Sequence, residues 1–563
     1  MSKKFKFQKT KLAKAVAIAM GAVTAGIAAD VVWLPDGART TIRDNQGRIL
    51  SHTTGAGSTA LYRYDRKDQL HEVAYHRQGG LTGLSYGVSD RIGYTYNSAG
   101  NRASMTDAQG TTRYEYDDLH RPTRIVSADG SALSFDSDPW DHVVEVNTAD
   151  GVSLRYSYNA FGDLTAVGDG MHTVTYERIP AQNKVIRRLP NGIASEYRYD
   201  AQQRLASIRH LNRDQSAIVV YNYSFDVQGR VVRIDEEKHA ATLSTHYVYD
   251  SLGRLVKSAR SDGAFAEYTY DAAGNRTSKK DNHGTVEYDY DEHARLVKAG
   301  NTRFAYDRAG RLMARIEGND TVEYQWDSAD RLIEVRTKGK TITYAYDGDG
   351  NRIERGADGN TQTYSNLPLG LAQVISESKG ASVVRYLLEP GQSPIARTVD
   401  GKTLYYLGDR LGSTRAVVDE HGTLVEEKDY DPFGEPQGTF SDEDYAFAGE
   451  RWDPDAKLLF LRTRYYDPSV GRFVSEDSWP GVLTQPQSLN RYTYAENDPV
   501  WRPCRRHHHI GNLIATACHR RSTNRAKRPL RHFGIPMRVC AAGTVTNSCR
   551  TRCRLRTGGR LVT

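Results

Sequence analysis

The chain has 563 residues and a formal net charge of +7, with only 38% hydrophobic residues and 35 Tyr against 13 Phe. That low aliphatic content, with 49 Gly and 18 Pro, argues against a helical bundle or one large dry core, and for many short strands joined by tight turns. The charge is unevenly spread: residues 501–563 hold 15 Lys and Arg and no acidic residue, while the first 500 carry 61 basic and 69 acidic residues, a net of −8. All five Cys (504, 518, 540, 549 and 553) also lie in the tail. The body therefore uses neither disulfides nor thiolate chemistry, and it tolerates an oxidising compartment.

At the N-terminus, Lys3, Lys4, Lys6, Lys9, Lys11 and Lys14 precede an Ala-rich run from Ala15 to Ala29. Basic residues, a short apolar stretch and small residues before Asp30 read as a Sec-type signal peptide over residues 1–29. This predicts a secreted or cell-surface protein; the alternatives are an exposed basic leader, or a cytoplasmic effector before export. The run is too short and too rich in Ala for a membrane span, and no other segment is apolar enough for one.

From Leu61 the sequence repeats itself. Tyr-x-Tyr-Asp/Asn units close at Asp65, Asn97, Asp117 and Asp200, and then at Asp226, Asp250, Asp271, Asp291, Asp307, Asp327 and Asp347. Tyr-x-Tyr has the period of a strand and places both rings on one face. Asp ends the strand because its carboxylate accepts backbone N–H groups of the coming turn. Gly supplies the positive φ that the turn needs, and Arg-Leu or Asn-Arg starts the return strand. A period near 20 residues marks an array. It predicts about thirty strands in a ribbon of ~140 Å if flat, and strand twist must coil such a ribbon.

These units resemble the YD (RHS) repeats over most of residues 40–500. The resemblance implies an all-β fold in which a hairpin ribbon winds into a hollow, cocoon-like shell around a C-terminal toxin. It divides the chain into the leader, a YD array at 30–400, a core domain at 401–500 and the tail at 501–563. The core is recognised in Tyr405-Tyr406-Leu407-Gly408-Asp409-Arg410-Leu411-Gly412-Ser413-Thr414-Arg415, in Tyr430-Asp431-Pro432-Phe433-Gly434-Glu435, in Arg464-Tyr465-Tyr466-Asp467-Pro468 through Phe473, and in Asn490-Arg491-Tyr492-Thr493-Tyr494. Order and spacing are similar to the RHS repeat-associated core domain. That domain plugs one end of the shell, and in several members it is an aspartyl-type autoprotease that releases the toxin.

By motif, Asp467 and Asp477 are the candidate catalytic carboxylates, with Arg472 between them to hold one ionised. The plainer role for both is to close turns, as Asp does upstream. Three departures weigh against cleavage. Lys457 stands where the family usually has Gly. Ser475-Glu476-Asp477-Ser478 replaces Ser-Pro-Asp-Pro. Trp501-Arg502-Pro503-Cys504 follows Val500 where a second Asp-Pro-x-Gly and the scissile bond belong.

The tail reads in three ways: a basic nucleic-acid-binding module, a zinc site using Cys504, Cys518, His519, Cys549 and Cys553, or a frameshifted stretch without a fold of its own. Cys549 and Cys553 have a permitted spacing, but no second well-spaced pair accompanies them, so no metal is assigned. No cofactor is expected, and no nucleic-acid site outside the tail.

The leading expectation is a structural shell of a polymorphic-toxin or cell-surface system, its self-cleavage impaired. The rivals are an active autoprotease with a basic toxin tail, and a secreted protein binding carbohydrate or cell wall through Tyr faces. An open ribbon leaves bare strand edges, so a second shell or capping chain is the expected partner. An immunity protein is another.

Overall fold

The computed structural model describes residues 28–500 apart from 35–36, 55–57, 77–90, 369–371, 441–443 and 483. The predicted leader up to residue 27 and the tail at 501–563 lie outside the described residues. Among the described residues there is no α-helix, and 38 strands form one continuous antiparallel sheet, each pairing with its chain neighbours. Five more short strands form a second sheet. The all-β ribbon is as the sequence predicts, though with more strands than thirty. The first strand, Ala28–Leu34, takes in the last two residues of the predicted leader. The ladder runs on to Leu424–Glu427, so repeat geometry continues past residue 400.

Each repeat is tied to the next by one set of bonds. In the turn at 250–254, Asp250 Oδ1 accepts the backbone N–H of Leu252 and of Arg254, both at 2.9 Å. Asp250 Oδ2 accepts Arg254 Nε at 2.6 Å. Gly253, at φ +83°, completes the turn. Arg254 then reaches forward: Nη1 donates to Asp271 O of the following turn at 2.8 Å, and the guanidinium lies 4.8 Å from the Tyr270 ring. Tyr270 reaches back, its hydroxyl donating to Leu255 O at 2.7 Å. The same clasp recurs at Arg311–Asp327 and Arg331–Asp347, and for the ring at Tyr249, Tyr290, Trp326 and Tyr346. The second aromatic of Tyr-x-Tyr is thus a hydrogen-bond donor as well as an apolar ring.

Just before that aromatic the register slips by one residue in hairpin after hairpin, for example at Val248/Tyr249, Thr269/Tyr270, Asp289/Tyr290 and Ala345/Tyr346. Such bulges bend the strand and increase its twist, and repeated on one edge they coil the ribbon. The coil returns onto itself. Arg102 Nη1 pairs with Asp349 at 2.7 Å, and Gly348 N donates to Asp107 at 2.5 Å. Asn191 Nδ2 donates to Asp419 O at 2.9 Å, His210 Nε2 bonds Gly408 O at 3.0 Å, and Arg415 meets Glu236 at 2.9 Å. Under these ties Val146, Leu154, Val167 and Val174 of the first lap share one apolar cluster with Ile375, Leu388, Ile395 and Leu407 of the second. Elsewhere Tyr fills where aliphatic residues are scarce, as at Tyr221, Tyr223 and Tyr268.

Candidate functional site

Beyond the ladder the chain folds inward as a plug. Its sheet comprises Asp444–Tyr445, Arg451–Asp453, Leu458–Leu461, Arg464–Asp467 and Arg472–Phe473. Leu458, Tyr465, Val470 and Val474 pack with Tyr324, Leu332 and Ile342 of the wall. Asp453 is fully buried and accepts Tyr344 Oη at 2.7 Å and both Arg355 nitrogens at 2.8 Å. Lys279 Nζ bonds Asp431 at 3.2 Å and Glu435 at 3.1 Å, fixing the Asp-Pro-Phe-Gly-Glu turn to the wall. Burial first, and the Asp431 charge second, push the Glu435 carboxyl above its usual value.

The plug also reads the rim. Five side chains donate to backbone carbonyls of four consecutive Asp turns: Gln487 to Leu252 O at 2.6 Å, Asn490 to Ala273 O at 3.1 Å, Asn497 to Gly274 O at 2.8 Å, Arg472 to Ala294 O at 2.5 Å and Tyr492 to Gly310 O at 2.8 Å. A Cβ on Gly310 would lie 2.4 Å from Tyr492 Oη. The glycine is therefore needed for contact as well as for its φ of +79°. Lys457, flagged by sequence as replacing Gly, does sit at φ +54°, a conformation that costs a side-chain-bearing residue ~1–2 kcal/mol.

Both sequence-predicted carboxylates are buried. Asp467 Oδ1 accepts the N–H and hydroxyl of Ser469, at 3.0 and 2.5 Å, and Oδ2 lies 3.7 Å from Arg315 Nη1. Asp477 Oδ2 accepts Arg464 Nη2 at 2.7 Å, and Oδ1 accepts the N–H of Trp479 at 2.9 Å. Arg491 holds the backbone carbonyl of Asp477 through Nε at 2.6 Å and through Nη2, and burial pushes its guanidinium down to about 10. Arg464 and Asp467 stand at opposite ends of one four-residue strand and on opposite faces of it, ~10 Å apart along the chain. The two carboxylates share no partner among the described contacts, so each has its own cation.

Arg472, the cation offered by sequence, makes its bonds elsewhere. Its guanidinium goes to Ala294 O and, at 3.3 Å, to Asn275 Oδ1; Arg464 and Arg315 take the carboxylates instead. In sequence Arg472 lies midway between the two Asp residues, and the register pairs it with Asp467, yet its long side chain extends to the rim carbonyl of Ala294. Alternation along Arg-Tyr-Tyr-Asp was the available signal that Arg464 and Asp467 face apart. Nothing in the sequence marked Arg491, or Lys279 with partners 152 and 156 residues away.

A family model described as the teneurin YD-shell matches residues 152–500, and one described as the RHS repeat matches residues 96–132. The chain belongs to the YD-shell family. Among curated relatives of this YD shell, the tRNA3(Ser)-specific nuclease WapA of Bacillus spizizenii is 29% identical over 45% of this chain and 11% of its own length. Double-stranded DNA deaminase toxin A of Burkholderia cenocepacia is 26% identical over 82% of the chain and 33% of its own length. Teneurin-3 of Danio rerio is 25% identical over 81% and 17%. The YD shell thus spans between about a tenth and a third of these relatives. The solved TcdB2-TccC3-Cdc42 structure shares its fold, with a TM-score of 0.69 at 18% identity over 87% of the chain and 28% of the solved one. Among the described residues no helix is long and apolar enough to cross a membrane.

Proposed function

We propose that the chain is the shell portion of a longer toxin-type protein, and that its plugged rim presents the segment following Val500. The observation that carries this reading is the set of five plug-to-rim bonds, which fixes where the chain leaves the body. Val500 is buried with Tyr221, Tyr268 and Phe433, and Arg410 Nη1 donates to its carbonyl at 3.4 Å. The bacterial relatives are named for a tRNA nuclease and a DNA deaminase toxin. By analogy, residues 501–563 occupy the variable effector position, and export and bacterial competition are the setting. A second shell chain is the partner we favour, since the solved neighbours are TcdB2-TccC3 structures.

Limited trypsin digestion read by mass spectrometry tests the shell. Peptides from 501–563 are expected first, with the plug at 430–500 resistant. Plug peptides released as early as tail peptides would overturn the reading.

Self-cleavage is the second reading, favoured by the buried Asp477–Arg464 pair and the Arg491 clamp on the Asp477 carbonyl. Intact mass of the wild type beside Asp477→Asn decides it. A wild-type chain split near Val500, with the variant whole, supports it; both whole removes it.

A further inference from the structure

The row of turns read by the plug continues where the plug stops. Followed toward the N-terminus, the same edge passes Leu252 and Val227 and reaches the turns at 159–163, 138–142 and 117–121. In each of these three successive turns the third residue is large, apolar and bare. Leu119 is 67% exposed, Trp140 77% and Phe161 89%. In the four turns that the plug binds the equivalent residues are Leu252, Ala273, His293 and Ala309, so the run of three large apolar residues at this position is confined to the turns beyond the plug. At the turn 431–435 the equivalent residue is Phe433, fully buried against the Tyr268 ring at 5.1 Å and the Arg276 guanidinium at 4.0 Å. Phe433 shows how an aromatic at this turn position can insert into a surface that covers it.

Neighbouring turns on one edge are two strands apart, ~10 Å. The three side chains therefore form a stripe of ~20 Å, with an exposed apolar area on the order of 400 Å², a size that marks interaction surfaces. Acidic residues flank it. Asp118 and Asp141 are exposed and make no ion pair among the described residues, and Asp163 has Arg178 at 3.4 Å.

We propose that the chain's own segment 501–563 lies back along this rim, with arginines against Asp118 and Asp141 and apolar side chains against Leu119, Trp140 and Phe161. This rests on the reading that the shell presents its C-terminal segment. Three observations select this occupant. The described chain ends at the rim itself: Asp498, two residues before Val500, lines one cleft with Gln228, Arg230, Ser251 and Leu252. The charges are complementary, since the segment has 15 basic residues and no acidic one. The surface is continuous with the row of turns to which the plug already binds. From the turn at 250–254 to that at 117–121 is ~60 Å, a span of about 18 extended residues, well within the length of the segment.

The test uses the full chain, with intact mass confirming all 563 residues. Lys527 is the segment's only lysine, so zero-length carbodiimide coupling reports its carboxylate neighbours. Hydroxyl-radical labelling reports cover over Trp140 and Phe161, with Met171, 80% exposed on the opposite edge, as control. Coupling of Lys527 to Asp118 or Asp141 is expected, and it should vanish in Asp118→Asn/Asp141→Asn. Labelling of Trp140 and Phe161 should rise several-fold between ~0.05 M and ~1 M salt, because the attraction is screened, while Met171 stays constant. Labelling unchanged by salt would overturn the proposal. So would couplings found only between differently isotope-labelled chains, which would make the occupant a second copy. The trypsin experiment on the plug does not depend on either result, so loss of this proposal leaves the shell reading standing.

Discussion

Replacing Asp347 with Asn should strengthen the overlap between laps, and increasingly so as pH rises. Asp347 closes a turn in the ordinary way, accepting the backbone N–H and the side-chain amide of Asn351, both at 2.8 Å. The turn is pressed against the first lap, and Asp349 and Asp107 lie close by. Burial first, and then those two charges, push the Asp347 carboxyl up from 3.8 to about 7. A carboxyl raised in the folded state binds its proton more tightly there than in the unfolded chain. Its favourable contribution is complete below pH ~4 and is lost as pH rises through about 7. The gap corresponds to ~4 kcal/mol at most. Asp347 is only partly buried, and solvent screening brings this to ~1–2 kcal/mol.

Asn suits the turn, because Asn97 closes the same kind with Asn101 four residues on, accepting the N–H of Ala99 at 3.1 Å and of Asn101 at 2.9 Å. Hydrogen exchange of peptides covering 91–107 and 340–357 reads the local opening that global melting of a long array would blur. Asp347→Asn should match wild type near pH 4 and gain about 5–30-fold in protection by pH 8. An advantage independent of pH, or greatest at low pH, would refute the electrostatic reasoning.

Ala294 occupies the glycine position of its turn at φ +60°, so Ala294→Gly should stabilise the neighbouring strands by ~1 kcal/mol, measured by exchange of residues 284–299. Gly310→Ala drives a methyl group into Tyr492 Oη. It should cost ~2–3 kcal/mol of plug attachment, seen as faster tryptic release of residues 464–500, whereas Tyr492→Phe should cost only ~1 kcal/mol. Asp453→Asn takes away the buried carboxylate that accepts two Arg355 nitrogens and leaves Arg355 to Asp455, at 2.6 Å; it should cost ~2–3 kcal/mol, seen as plug release at lower denaturant than the ladder.

The array and its turns were legible in the sequence because their chemistry is local. Asp250, Gly253 and Arg254 close their turn within five residues, and Tyr-x-Tyr shows its period directly. The bulge before Tyr270 was not legible, since it is a backbone accommodation with no residue type of its own. The return of the ribbon was hidden for another reason. Arg102 and Asp349, 247 residues apart, look like any other Arg and Asp of the array, and only the accumulated coil brings them together. The candidate site suffered likewise: motif spacing offered Arg472 as the cation for Asp467 and Asp477, whereas packing of the plug on the wall brings Arg315 to Asp467 and the chain's return brings Asp477 to Arg464. The change of architecture also falls later than composition suggests, because the hairpins after residue 400 lose the Tyr-Asp signature while keeping the ladder.

The ties between laps set a rule for how such a chain can change length. Outside the overlap, a hairpin carries with it both the arginine that grips its successor and the ring that grips its predecessor, so a whole unit can be gained or lost without new chemistry. Between Arg102 and Asp349 that freedom ends. Adding one unit between Glu236 and Gly348 lengthens the circumference by two strand widths and moves Asp107, Asn191, His210 and Glu236 out of step with Gly348, Asp419, Gly408 and Arg415 all at once; closer to Arg102 it breaks fewer of these ties. The girth of the coil is therefore counted in whole units, and a unit added inside the shared interval is mismatched at all four of these ties. Natural variation in repeat number should gather before Arg102, where an extra unit extends the coil, and should be rare between the paired residues.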